Sequence, residues 1–203
     1  MDLDVRRAEP NDAATIALLG RITFAETFGY LFQEHPDDLR IYLDSTFAVA
    51  KIRRSLELPQ NAYWLCSVAG LPVSYAKFKY PSPTRLLDQG DIAQLQKIYV
   101  LKEFLGQGIG KPLLQAVLTH ADSLQVAIIW LDVLKQNARA IRFYEQQGFT
   151  ALGDDTYTIG AQTFDFSVMA LRRSFNDLDM RMGADAEAGA ASIPAVLVSS
   201  EDA

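Results

Sequence analysis

Three glycines in five residues, Gly106, Gly108 and Gly110, close a strand-like stretch and open an amphipathic helix. No other segment limits the fold as strongly. Glycines at this spacing let the backbone turn with no side chain standing between it and a ligand, and the helix after them aims its unpaired N–H groups at the same spot. Strand, turn and helix together form a cradle for an anion such as a phosphate.

Two familiar phosphate loops fail on counting. A Gly-x-x-x-x-Gly-Lys-Ser/Thr loop ending at Gly110-Lys111 needs glycine at Leu105 and a hydroxyl at Pro112, and has neither. A Gly-x-Gly-x-x-Gly dinucleotide fingerprint starting at Gly106 needs glycine at Lys111, and no long βαβ run precedes the turn. A turn that merely joins strand to helix stays open at this point.

The chain has 203 residues, enough for one domain with a buried core. With 49% hydrophobic and 22% charged residues it reads as an ordinary globular protein. No apolar run approaches membrane-span length, and Met1 to Arg7 has no signal-peptide core. One cysteine, Cys66 in the apolar run Tyr63–Cys66, forms no internal disulfide and reads as a buried thiol in a reducing cytoplasm. Net charge is −6, most of it in residues 174–203, where six acidic residues face Arg181 alone. No Lys/Arg cluster suggests a nucleic-acid face.

Periodicity gives the order of elements. A strand is expected at 3–8, then helices from 13, from 36 and over 49–58. Strands follow at 63–68 and 72–80 around a short hairpin, with a loop over 81–91. A strand at 93–101 runs into the glycine turn, and a helix carries an apolar stripe of Ile109, Leu113, Leu114, Val117, Leu118 and Ala121. Pro112 is tolerated there because it falls in the first turn. A strand at 126–133, a helix at 138–147 and a hairpin of 149–158 with 162–171 complete the pattern. Beyond Arg173 the acidic, Ala/Gly-rich composition reads as a disordered tail.

Two segments then combine: Gln96-Lys97-Ile98-Tyr99-Val100-Leu101-Lys102-Glu103-Phe104-Leu105-Gly106-Gln107-Gly108-Ile109-Gly110, and Asn137-Ala138-Arg139-Ala140-Ile141-Arg142-Phe143-Tyr144-Glu145-Gln146-Gln147-Gly148-Phe149. In this order and at this separation, over residues 3–172, the chain resembles the Gcn5-related N-acetyltransferases, the GNAT superfamily. The resemblance implies a mixed α/β fold, with a central, largely antiparallel, splayed sheet of six to seven strands flanked by four to five helices. It also divides the chain into a GNAT acetyltransferase domain at 1–173 and the tail.

The same likeness implies acetyl-CoA as co-substrate and no metal. The pyrophosphate would sit on Leu105, Gly106, Gln107, Gly108, Ile109, Gly110 and Lys111. The pantetheine arm would pair with exposed backbone at Ile98, Tyr99 and Val100, with Asn137 and Arg142 as further cofactor contacts. Tyr144 matches the tyrosine that can protonate the departing thiolate. Taken alone, Asn137 reads equally as a helix N-cap, and Tyr144 as a core aromatic.

Two positions depart from the family pattern. Leu105 stands where relatives carry a polar residue beside the phosphates. Gln94 stands where many relatives carry a glutamate base, and glutamine takes no proton at neutral pH. The amine proton would then leave through ordered water or a carboxylate such as Glu26 or Asp91. Glu26, Phe28 and Gln94 are the expected acceptor-side residues. His35, before a proline in the region that shapes the acceptor site in this family, is a further candidate, and His120 reads as a helix-end residue.

Ile129-Trp130-Leu131-Asp132-Val133 and Phe24-x-x-Thr27-Phe28 add a likeness to bacterial spermine/spermidine N-acetyltransferases of the PaiA type. The expected partner is therefore a small-molecule amine, a polyamine first, with no nucleic acid, no membrane, and a homodimer as a family habit. The alternatives are protein N-termini or amino-acid-like amines as acceptors, and a non-catalytic acyl-CoA-binding module.

Overall fold

In the computed structural model, which describes residues 2–87 and 90–173, all seven expected strands join one sheet. The tail expected at 174–203 lies outside the described residues. The strands are β1 Leu3–Arg7, β2 Asn61–Val68, β3 Leu71–Lys79, β4 Ile92–Val100, β5 Ile128–Leu134, β6 Thr150–Ile159 and β7 Gln162–Arg172. Their order is β1-β2-β3-β4-β5-β7-β6, antiparallel throughout except that β4 runs parallel to β5. The helices are α1 Ala13–Phe28, α2 Pro36–Thr46, α3 Val49–Glu57, α4 Gly110–Ser123 and α5 Ala138–Gln146.

One face of the sheet packs on α4. Leu113, Leu114, Val117 and Ala121 of the expected stripe join Ala93, Leu95, Ile129 and Leu131 in a single apolar cluster. The other face carries α1 to α3, where Ile16, Phe24, Phe28 and Phe47 meet Leu65, Tyr75 and Phe166. Cys66 is fully buried, and burial pushes its thiol up, as a structural role requires.

Helix α1 runs farther than its apolar pattern implies. Thr23 Oγ1 donates to the Leu19 carbonyl at 2.6 Å and Thr27 Oγ1 to the Thr23 carbonyl at 2.7 Å, so both hydroxyls are satisfied without breaking the helix. The extra length brings Glu26 and Phe28 over the sheet. Within α1, Gly20 lets Phe47 lie directly against the helix backbone: a Cβ there would overlap the Phe47 ring and stand 3.1 Å from the Tyr75 hydroxyl. Gly20→Ala is expected to cost about 1–3 kcal/mol by overpacking. Denaturant unfolding checks this, and an unchanged midpoint would contradict it.

The sheet opens in its middle. β4 pairs with β5 only over Ile92–Gln94 against Ile128–Trp130. Beyond that point β5 continues its ladder with β7 as far as Leu134–Phe166, while β4 stays with β3 as far as Val100–Ser74. The parting coincides with a bulge. Lys77 pairs with Lys97 and Phe78 with Leu95, which leaves Gln96 as the extra residue of β4. A bulge bends its strand and re-aims the side chains beyond it. Leu95 faces α4 before it, and Ile98 and Val100 pack on that same face after it, so Lys97 and Tyr99 turn to the side of α1 to α3.

Candidate active site

The parted strands enclose a cleft of about 580 Å³ that passes from one face of the sheet to the other. On its α4 side, Leu105 leads into the glycine turn. Gly106 and Gly108 have φ of 82° and 81°, a left-handed backbone that costs most other residues about 1–2 kcal/mol. The turn delivers the chain to the N-terminus of α4, whose first N–H groups have no partner within the helix. Lys102, Lys111 and Arg139 also line this end. The Arg139 guanidinium lies 3.6 Å from where a Cβ on Gly106 would stand, and Phe143 lies 3.3 Å from the same point on Gly110. The second and third glycines thus serve different ends: Gly108 the turn, Gly110 the close packing of α4 on α5.

Expected cofactor residues mostly gather here. Ile98, Tyr99, Val100, Leu105, Gly106, Gly108, Ile109, Gly110, Lys111 and Asn137 all line the cleft, and so does Tyr144. Three of the expected residues stand apart from the rest. Arg142 lies outside the lining, while Arg139, one turn earlier and likewise exposed, is part of it. Gln107 directs its side chain back to the Glu103 carbonyl at 2.8 Å, outside the cleft wall. Tyr99 offers no carbonyl to the gap, since Ser74 Oγ donates to it from the β3 side at 2.7 Å. By strand alternation, Ile98 and Val100 are the residues whose backbone groups face the opening.

The two readings of Asn137 coincide. Its Oδ1 caps α5 by accepting the Ala140 N–H at 3.1 Å, and the residue also lines the cleft. Tyr144 likewise does both: it is buried, with its ring edge-on to Phe143 and Phe149 at 5.3 and 5.6 Å, and it forms part of the wall. Burial pushes its phenol well above the ordinary tyrosine range, so the proton is held at every working pH.

On the other side of the gap the wall is made by Glu26, Phe28, Lys97, Tyr99, Asp132 and Phe166. Glu26 is engaged, since its Oε2 accepts the Lys102 N–H at 2.9 Å. Asp91 is absent from the cleft wall and accepts from the Tyr80 hydroxyl at 2.9 Å. Gln94, 1% exposed, stands behind the wall instead of forming it. Its Nε2 donates to Asp132 Oδ2 at 3.3 Å, and Gln96 Nε2 donates to Gln94 Oε1 at 3.0 Å. His35 is exposed at the start of α2 and outside the cleft. His120 is half-buried between the rings of Trp64 and Phe78, not a plain helix-end residue, and burial lowers its pKa.

Asp132 is a group that sequence reasoning missed. It sits on β5 between Leu131 and Val133, which face α4, so it faces the opposite way. Burial raises its pKa to about 7, with the nearby Asp155 charge adding to the rise and hydrogen bonds from Tyr157 and Gln94 opposing it. Among the described residues its Oδ1 has no hydrogen-bond partner. A carboxyl in this state can take and release a proton near neutrality. The signal was present as an acidic residue inside the run Ile128–Leu134, where a charge is costly unless used.

Among the described residues no group of three or more His, Cys, Asp or Glu is placed to hold a metal, and no helix is long and apolar enough to cross a membrane. Residues 23–149 match the family model described as "Acetyltransferase (GNAT) family". An uncharacterised N-acetyltransferase of Mycobacterium tuberculosis is 30% identical over 128 residues, 62% of this chain and 76% of that protein. Another, from Lactobacillus delbrueckii subsp. lactis, is 24% identical over 149 residues, 73% of this chain and 85% of its own. The crystal structure of the PaiA N-acetyltransferase from Thermoplasma acidophilum in complex with coenzyme A shares the fold, with TM-score 0.64 at 17% identity, over 85% of this chain and all of that one.

Proposed function

The chain belongs to the GNAT family of acetyltransferases, and from that membership we propose an acceptor, a proton acceptor and a proton donor for its reaction. It is an acetyl-CoA-dependent N-acetyltransferase. In our reading the acceptor is the primary amine of a small molecule, Asp132 takes the amine proton, and Tyr144 returns a proton to the sulfur.

Acetyl-CoA supplies a thioester whose carbonyl carbon is open to attack by a neutral amine. The residues present fit it. The left-handed backbone at Gly106 and Gly108, with the N-terminus of α4, suits the pyrophosphate, and Lys102, Lys111 and Arg139 suit the remaining phosphate charge. The unpaired edge of β4 at Ile98 and Val100 suits the amide-bearing arm, which adds to the sheet as a strand would.

The observation that carries the reading is the placement of Asp132 and Tyr144 on opposite sides of one gap. Asp132 faces the side of α1 to α3, and Tyr144 belongs to the cluster on the α4 side. An amine entering past Phe28 meets Asp132 first. Asp132 accepts its proton as the N–C bond forms, Tyr144 gives its phenolic proton as the C–S bond breaks, and before the next turnover Asp132 releases a proton to water while the tyrosinate takes one back. Gln94 holds Asp132 from behind, which explains how a glutamine can occupy the position where relatives carry a glutamate.

The polyamine implied by the PaiA-type likeness has limited support in the wall, where the acids on the acceptor side are Glu26 and Asp132 and the first is engaged by backbone. A small primary amine is the level at which the geometry supports the acceptor. The cytoplasm, where a lone buried thiol stays reduced, is the proposed place of action.

A thiol-release assay tests this with acetyl-CoA and a panel of alkylamines, amino acids, spermidine and a peptide with a free N-terminus. Amine-dependent thiol release is expected for a small amine. Acetyl-CoA should also raise thermal stability, by about 2.7 kcal/mol at a concentration a hundred times its Kd. Stabilisation without thiol release for any amine would leave a binding module and overturn the reading.

A further inference from the structure

Lys97 has no role in the chemistry just described, yet it lines the same cleft and is only 7% exposed. Lys102 lies in the short turn before the glycines, Lys111 in the first turn of α4 and Arg139 in the first turn of α5. Lys97 instead lies on the acceptor side, turned there by the bulge at Gln96. Its Nζ sits 5.3 Å from the centroid of the Phe47 ring and 6.0 Å from that of Tyr99. Lys77 is its direct partner across β3, with Nζ 5.4 Å from the Tyr63 ring centroid. Lys51 on α3 adds its field to both. Among the described residues no ion pair reaches Lys51 or Lys77.

A buried ammonium is expensive, and an apolar side chain of similar length would pack between Phe47 and Tyr99 at lower cost. Lys97 puts a cation into this wall, with Lys77 and Lys51 behind it, while the carboxylates of Glu26 and Asp132 lie on the same side of the cleft. A cation and an acid on one wall suit a molecule that carries both charges, and the low dielectric of the cleft strengthens both attractions. Burial and the Lys51 charge lower the Lys97 pKa to about 8, and burial with its lysine neighbours lowers that of Lys77 to about 7. A bound anion would restore their charge.

We propose that Lys97 binds a carboxylate on the acceptor, so that the preferred substrates are amino-acid-like: primary amines that also carry a carboxylate. This rests on the acyl-transfer reading above and narrows it. The carboxylate lies against Lys97, backed by Lys77, while the amine lies at Asp132. Spermidine, which brings further positive charge to the same wall, is disfavoured.

The test compares kcat/KM for glycine, β-alanine and 4-aminobutyrate with that for the alkylamine of equal length lacking the carboxylate, and with spermidine. At least one amino acid should exceed its alkylamine by tenfold or more. In Lys97→Met that ratio should fall to near one, and Lys97→Arg should restore part of it. Preference for alkylamine or spermidine, or an unchanged ratio in Lys97→Met, would overturn the proposal. Absence of thiol release with every amine would instead sink the reaction. Calorimetric binding of each amino acid and its alkylamine to the CoA-loaded protein then decides the matter without turnover: equal affinities contradict a carboxylate site, and tighter amino-acid binding lost in Lys97→Met supports it.

Discussion

Asp132→Asn is expected to lower kcat/KM for amine acetylation by about 10²–10⁴-fold, the usual range for loss of a general base, with acetyl-CoA affinity nearly unchanged. Asparagine keeps the shape and can still meet Gln94 Nε2, but it cannot take the proton. The same substitution should raise stability at pH 8. A carboxyl held at about 7 in the folded state, against 3.8 for a free side chain, favours folding below the lower value, and that contribution is lost as pH rises between the two. Removing the charge recovers it. Steady-state kinetics with thermal unfolding at pH 8 checks both signs, and a variant that loses activity because it is misfolded would show the opposite stability change.

Tyr144→Phe is the second large effect. It keeps the edge-on contacts with Phe143 and Phe149 and removes only the hydroxyl. A thiolate needs modest acid assistance, so kcat should fall by about 10–10²-fold, below the full range for a proton donor. KM for acetyl-CoA should change little, because the loss falls on the step in which sulfur departs. An unchanged kcat would return Tyr144 to a purely structural role in the α4-side core.

Much of this architecture is legible in the sequence, because its strands and helices obey simple periods. The apolar stripe of α4, the turn residues at Ala69-Gly70 and Gly160, and the glycines at 106–110 each identify an element from local chemistry alone. The α4 side of the cleft is legible for the same reason: much of its wall comes from the stretch Ile98 to Lys111. Arg139 lines the cleft and Arg142 does not, although both lie on one short helix, and the sequence does not say which of two arginines three residues apart borders it. The wall on the side of α1 to α3 is the least legible. In the sequence Asp132 stands out only as part of a family-like run, since its importance comes from burial beside Gln94, a residue 38 positions away. Lys97 lies on the side of α1 to α3 only because Gln96 is a bulge, and plain alternation would have set it with Ala93 and Leu95 against α4. Register irregularities are long-range facts, written in the pairing of β3 with β4 and not in either strand.

The most direct test of Asp132 as proton acceptor is the pH dependence of kcat/KM for amine-dependent thiol release, measured in the wild-type chain and in Asp132→Asn. For a base whose pKa stands near 7 and a neutral attacking amine, log kcat/KM in the wild type should climb with slope two below that value, a steeper limb, and with slope one from there up to the amine's own pKa. In Asp132→Asn the residual activity should lack that limb. An identical limb near pH 7 in both proteins would show that another group takes the proton.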